Sequence, residues 1–194
     1  MKNNKKVVIV DKIYPDDLIF RLIKLIKGGK IVIMPSDTIY GFLCLPSLEN
    51  KLREIKKRDK KPFLFLISDF NQLNTLEINT QKVKDILEKY WPGSITFILG
   101  RDDGKSIGIR MPHWFLLRRI IDNVASPLIS TSVNYSGMPS FNNKDDIVKE
   151  FSKKVDLIVI DENFNQNLSS TIVDLTKNPY EILREGNISF ENDQ

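Results

Sequence analysis

The sequence predicts an α/β protein, a single domain built on a twisted mixed sheet flanked by helices. Three observations predict it. Short apolar runs of strand length alternate with segments whose apolar residues recur at helical spacing. The later strand runs come in hairpin-like pairs, which favours a mixed sheet over a purely parallel one. A length of 194 residues with 41% hydrophobic and 28% charged content suits one globular domain with a sizeable core.

Val7 to Val10 is an apolar run of strand length. Pro15-Asp16-Asp17 opens a helix, with acidic residues at its positive end. Leu18, Ile19, Leu22, Ile23, Leu25 and Ile26 continue it until Gly28-Gly29 stops it. Ile31 to Met34 reads as a buried strand running into a polar loop, Pro35 to Gly41. Ser47 to Arg58 is helical with Leu48, Leu52 and Ile55 inward, and Pro62 to Ile67 is a strand. A helix over Thr80 to Tyr90 ends at Trp91-Pro92-Gly93. Ile95 to Leu99 and Ser106 to Arg110 form two strands joined by the turn Arg101-Asp102-Asp103-Gly104. Phe115 to Val124 is a helix, Leu128 to Ser132 a strand, Lys144 to Lys153 a helix and Leu157 to Ile160 a strand. Thr171 to Leu175 and Glu181 to Arg184 complete the strands. No internal repeat, low-complexity block or interdomain linker interrupts the chain.

Composition removes several function classes. The 29 Lys and Arg against 25 Asp and Glu leave a net charge of +4, a mild bias toward anions such as nucleotides, tRNA or phosphates. Cys44 is the single cysteine, so an intrachain disulfide framework is excluded and a cysteine zinc site disfavoured. His113 is the single histidine, which excludes a histidine-rich metal site and schemes needing several histidines. The run Val7 to Val10 is too short for a signal-peptide core or a membrane span, so a cytoplasmic protein without a membrane partner is expected.

Five places concentrate polar chemistry. After the Leu128 strand come Ser130, Thr131, Ser132, Asn134, Tyr135, Ser136 and Gly137. Open α/β sheets bind ligands at strand carboxyl ends, yet the same residues also build an elaborate turn. The run Lys56-Lys57-Arg58-Asp59-Lys60-Lys61 puts five cations in six positions at a helix end. It is either a solvated face or a phosphate site, with the Arg58 fork suited to bidentate contact and Lys60 or Lys61 acting as a point charge. In the loop Pro35 to Gly41, Thr38 can bond a small ligand or simply serve the turn. Arg110 closes the apolar stretch Ser106-Ile107-Gly108-Ile109, where a cation either meets an anion or snorkels to water. Ser169-Ser170-Thr171 beside a strand, then Arg184 before Gly186, repeats that logic. No Gly-rich phosphate loop of the P-loop or dinucleotide type is present.

Taken together, PSDTIYG, K-x-R with a following K-P-F, WPGSITFIL, IGIRMP, STSVNYSG, SSTIVDLT and ILREG resemble, in order and content, the YrdC family. These are the threonylcarbamoyl-adenylate synthases of tRNA modification. The likeness runs from about Gly29 to Gly186, within a motif-bearing core spanning roughly 12–190. It implies a YrdC-like sheet with a positively charged concave cavity. It also implies that L-threonine, bicarbonate and ATP give L-threonylcarbamoyl-AMP and pyrophosphate, the first step toward N6-threonylcarbamoyladenosine in tRNA. Magnesium is expected with ATP, held by its phosphates and water rather than by a protein metal site. Partner proteins would carry the group onward, with weak tRNA contact at most.

By motif, the resemblance places Thr38, Arg110, Ser132 and Ser170 on the threonine side, with Arg110 facing the carboxylate. It places Arg58, Lys60 or Lys61, Ser106, Asn134, Asn142 and Arg184 on the ATP side, with Lys56 adding positive potential for the phosphates. Arg58 and Arg110 are the residues expected to carry catalysis. The chain departs from the family pattern between Arg58 and Pro62, which is about one residue short, and at Asn142, where threonine is frequent. Leu66 stands where many members carry a polar residue, and Trp114 where histidine is common. Two other readings accompany the synthase: a YrdC-like RNA-binding paralogue without synthase activity, and a carbamoyl-transfer domain of the kind used in hydrogenase maturation.

Overall fold

A computed structural model of the chain describes residues 6–58, 61–141, 143–166 and 168–191. In chain order it runs β1 (Val7–Val10), α1 (Asp16–Lys27), β2 (Val32–Pro35), β3 (Tyr40–Cys44), α2 (Glu49–Lys56) and β4 (Leu64–Leu66). It continues with α3 (Gln72–Thr75), α4 (Lys84–Tyr90), β5 (Ile95–Gly100), β6 (Ser106–Arg110), α5 (Phe115–Val124) and β7 (Leu128–Ser132). It closes with α6 (Lys144–Phe151), β8 (Leu157–Asp161), β9 (Thr171–Asp174) and β10 (Glu181–Arg184). The expected strands and main helices form, and the class is α/β with mixed strand pairing. Two elements differ. The supposed loop through Gly41 gives way at Tyr40 to β3, five buried residues that pair with β2 and β7. The short helix α3 was not anticipated, and the helix expected from Thr80 begins only at Lys84.

The chain divides into two compact units, Met1–Lys61 with Leu128–Asn167 and Pro62–Pro127 with Leu168–Gln194. In the first, the strand order is β1-β8-β2-β3-β7. β1, β8 and β2 run parallel, β3 is antiparallel to β2, and β7 is antiparallel to β3. β7 therefore points the same way as β2, β8 and β1, and their carboxyl ends, Ser132, Pro35, Asp161 and Val10, share one sheet edge. Helix α1 buries Leu18, Ile19, Leu22 and Ile26, the i, i+3, i+4 stripe read from the sequence. Phe42 meets Phe151 of α6 edge-on at 5.2 Å, a contact whose loss to alanine costs about 3–5 kcal/mol. Asn143 caps α6 by accepting from the amides of Asp145 (2.8 Å) and Asp146 (3.2 Å), worth about 1 kcal/mol.

In the second unit the order is β4-β6-β5-β9-β10, with β4 parallel to β6 and β5 parallel to β9, and antiparallel pairs between β5 and β6 and between β9 and β10. The carboxyl ends of β4, β6 and β10 thus lie at the same edge as the amino ends of β5 and β9. Phe97, Ile109, Ile95, Trp91, Leu87 and Val173 form the centre of its core. Trp91 satisfies its one side-chain donor by bonding the Ile95 carbonyl at 2.8 Å. No helix among the described residues is long and apolar enough to cross a membrane.

Candidate functional site

In the first unit the polar residues gather where strand carboxyl ends converge, the position at which α/β sheets accept ligands. The β2–β3 turn is closed by the Ser36 amide bonding the Ile39 carbonyl at 3.1 Å. The Ser36 hydroxyl donates to the same carbonyl at 2.7 Å and lies 3.0 Å from the Thr38 hydroxyl. The Ser36 oxygen also accepts from the Thr38 amide at 3.2 Å and the Ile39 amide at 3.3 Å, so the Ser36 side chain organises the whole turn and either hydroxyl can donate in its pair with Thr38. Ser132 lies at the end of β7. Its hydroxyl donates to Asn134 Oδ1 at 2.7 Å, so Ser132 presents lone pairs rather than a hydrogen. Asn134 Nδ2 donates to the Met138 carbonyl at 2.5 Å, which fixes the amide orientation.

Lys56 lies beneath this loop. It is fully buried as the last residue of α2. Its ammonium donates to Asn134 Oδ1 at 2.7 Å, to the Asn134 carbonyl at 3.0 Å and to the Ser132 carbonyl. It also lies 5.3 Å from the Phe42 ring centroid. All three Lys56 donors are thus directed inward, so what it offers a phosphate is positive potential rather than a hydrogen bond. The helix phase explains it: Lys56 follows the buried Leu52 by four residues and shares its face. Burial, and then the nearby Arg58 charge, push the Lys56 ammonium down to about 7. Lys57 adopts a left-handed conformation (φ 49°, ψ 47°) that ends α2, and its ammonium sits 4.8 Å from the Tyr135 ring centroid. Arg58 is half-buried and donates from Nε to the Lys61 carbonyl at 3.1 Å. Burial, and then Arg53, hold its guanidinium below the usual arginine range.

The second unit brings Arg110, Ser170 and Arg184 to one sheet edge. Arg110 is 3% exposed at the carboxyl end of β6. Arg184, at the carboxyl end of β10, donates to the Ser170 carbonyl from Nε (3.1 Å) and Nη2 (2.7 Å), and from Nη2 to the Ser170 hydroxyl (3.3 Å). Burial, and then the charge of Arg110, lower the Arg184 guanidinium from its ordinary value. Two cations held within electrostatic reach of each other make a place where an anion is favoured. The Ser170 hydroxyl also pairs with Thr96 Oγ1 at 2.8 Å, both side chains buried.

The structure thus joins Thr38 to Ser36, Ser132 to Asn134 and Lys56, and Arg110 to Arg184 and Ser170. It does not bring Ser106 to Arg110. Ser106 is exposed at the opposite end of β6, about 13 Å away at ~3.3 Å per residue. The Lys61 side chain is exposed, while Lys60 and Asn142 lie outside the described residues. Sequence reading passed over Ser36 and Thr96. Both stood inside the quoted motifs, and their two-residue offsets from Thr38 and from Ser94, just before β5, were the available signals. Among the described residues no three His, Cys, Asp or Glu side chains gather to hold a metal ion.

The family described as Telomere recombination, Sua5/YciO/YrdC, matches residues 24–186. The chain belongs to the Sua5/YciO/YrdC family. It is similar to the threonylcarbamoyl-AMP synthase of Pyrococcus abyssi, with 27% identity over 86% of this chain and 53% of the relative. The chain therefore spans about half the length of that relative. It is also similar to the threonylcarbamoyl-AMP synthase of Neisseria meningitidis, with 30% identity over 67% of this chain and 77% of the relative. The fold matches the crystal structure of P. abyssi Sua5 complexed with L-threonine with a TM-score of 0.82 at 24% identity, over 94% of this chain and 58% of that one.

One position singled out in the sequence falls on the strand beside Arg110. Leu66 is fully buried and is the strand partner of Arg110 in the β4–β6 register. It places an aliphatic side chain on the strand position paired with Arg110. Trp114 is half-buried and immediately precedes α5.

Proposed function

We propose that the chain is a threonylcarbamoyl-AMP synthase, acting at the first step of N6-threonylcarbamoyladenosine formation in tRNA. The observation that carries this reading is the buried Arg110 held within electrostatic reach of Arg184, which grips Ser170 at the sheet edge, a cationic arrangement suited to a carboxylate or a phosphate, in a chain whose curated relatives bear that enzyme name. L-Threonine, bicarbonate and ATP would give L-threonylcarbamoyl-AMP, pyrophosphate and water. The threonine amine and bicarbonate condense to an N-carboxylate, whose oxygen attacks the α-phosphorus while pyrophosphate leaves. No enzyme nucleophile is needed. The work is to hold anions together and to offset charge as it develops, which suits arginines and hydroxyls.

In this reading Arg110 receives the threonine carboxylate. Thr38 and Ser132 bond the polar groups of threonine, Ser132 through lone pairs because its hydrogen goes to Asn134. Ser170 completes the threonine side. Arg58, Lys60 or Lys61, Ser106, Asn134, Asn142 and Arg184 serve ATP, whose magnesium travels on the phosphates and water. The product passes to partner proteins that act on tRNA. The test is to incubate the protein with L-threonine, bicarbonate and magnesium ATP. The expected result is threonylcarbamoyl-AMP together with bicarbonate-dependent pyrophosphate. Absence of both, with tight and steeply salt-dependent RNA binding, would overturn the synthase in favour of an RNA-binding paralogue.

A further inference from the structure

Lys56 belongs to the most cationic stretch of the sequence, yet it turns its charge into the protein. Its ammonium meets three acceptors within three residues of chain: the Ser132 carbonyl, the Asn134 carbonyl and Asn134 Oδ1. An ammonium has three hydrogens, so donors and acceptors match one to one. The main chain of Lys56 adds a fourth contact. Its carbonyl, at the end of α2 where no helical amide remains to bond it, accepts from the Ser136 amide at 2.9 Å. A single residue thereby ties down positions 132, 134 and 136 along the exit of β7.

We propose that Lys56 is a positioning residue, an internal strut that sets the Ser132–Ser136 segment and acts on ligands only through Ser132 and Asn134. The consequence for recognition is specific. Asn134 Oδ1 is held by two donors, Lys56 and Ser132. That pins the Asn134 amide and forces the Ser132 hydroxyl to spend its hydrogen inward. Without the ammonium the amide is held only by Ser132 and the Met138 carbonyl, so the hold on the Ser132 hydrogen loosens and the face offered to a ligand shifts from acceptor toward donor. Glutamine at this position supplies two hydrogens for three acceptors, and methionine supplies none while keeping a stem that packs on Phe42. The effect is therefore graded, Lys56→Met exceeding Lys56→Gln. The ligand part of this inference rests on the synthase reading; the strut itself does not.

The experiment compares the whole protein with Lys56→Gln and Lys56→Met by amide hydrogen exchange and by separate calorimetric titrations with L-threonine and with ATP. Exchange at Ser136 and Met138 is expected to quicken at least about tenfold in Lys56→Met and less in Lys56→Gln, since hydrogen bonds to a charged group are being removed. Threonine and ATP are both expected to bind more weakly. Should Lys56→Met fail to fold, Lys56→Ala with n-propylammonium replaces it, n-propanol serving as control. Restoration of loop protection by the amine alone supports the strut. Equal restoration by both compounds, or by neither, overturns it. Unchanged loop exchange with loss of ATP affinity alone also overturns it, because that is the signature of a direct phosphate contact. A wild-type protein that binds neither ligand would sink the synthase reading and leave the exchange result standing.

Discussion

The guanidinium of Arg184 grips the main chain of Ser170, with Nε and Nη2 both donating to the Ser170 carbonyl at 3.1 and 2.7 Å. Nη2 also reaches the Ser170 hydroxyl at 3.3 Å. An arginine on the outermost strand of its unit thus sets the position of a serine just before β9. Lysine cannot reproduce the fork. Arg184→Lys is expected to lower kcat/KM for bicarbonate-dependent pyrophosphate release by roughly 10–100-fold, the equivalent of losing ~1.5–3 kcal/mol from charged hydrogen bonds. Full activity in Arg184→Lys would show that the fork has no part in turnover.

Arg110 is buried and its charge disfavours that of Arg184. Arg110→Met keeps most of the apolar stem and removes the repulsion. Threonine-dependent turnover is expected to fall at least about a hundredfold, as buried charged contacts to a ligand carry ~3 kcal/mol or more. Retained turnover would refute the carboxylate assignment.

Gly186 tests how the segment after Arg184 is seated. A Cβ there would lie 2.2 Å from the Ser169 carbonyl oxygen and 2.5 Å from the Ser170 carbonyl carbon. The Gly186 amide also donates to Thr171 Oγ1 at 3.1 Å, and the Asn187 amide to the Ser169 carbonyl at 3.0 Å. Gly186→Ala is expected to cost about 1–3 kcal/mol through overpacking. That corresponds to a fall of a few to roughly ten degrees in Tm for a chain of this size. Because the clash falls on backbone, no side-chain rotation relieves it. A thermal midpoint equal to that of the wild type would rule out the close approach.

Much of this was legible in the sequence where one physical signal dominated. Helix α1 announced itself through acidic residues at its start, a periodic stripe and Gly28-Gly29 at its end. β6 and β7 are apolar runs that end in the polar residues now found at sheet edges. β3 was missed because Tyr40 to Cys44 is buried throughout and has no alternation to separate it from the preceding polar turn. The cationic run shows the sharper limit. Lys56, Lys57 and Arg58 read alike as letters, but helix phase buries the first, a left-handed residue exposes the second, and the third bonds the Lys61 carbonyl. The offset of four from Leu52 was the one clue to Lys56. The meeting of Arg110, Ser170 and Arg184 follows from the order β6-β5-β9-β10, which no local pattern contains.

Lys56 also makes a pH prediction whose sign differs between stability and loop order. Burial, then Arg58, lowers its ammonium to about 7 in the folded chain, against 10.5 for an ordinary lysine. Between these two values the unfolded chain binds more protons than the folded one, so this group's contribution to stability rises as pH rises through the window. Below about 7 both states carry the ammonium, and the cost of burying it is paid in full. Loop order moves the other way. A neutral amine has two hydrogens for the three acceptors at Ser132 and Asn134, so one of them loses its bond as the proton leaves. Urea unfolding of wild type and Lys56→Met across this window isolates the group, because other titrations cancel in the difference. The wild type is expected to gain on the variant with rising pH, while protection of Ser136 and Met138, taken relative to the base-catalysed intrinsic exchange rate, falls in the wild type and stays flat in the variant. A difference in stability that does not change with pH would mean that the three acceptors hold the proton as firmly as water does.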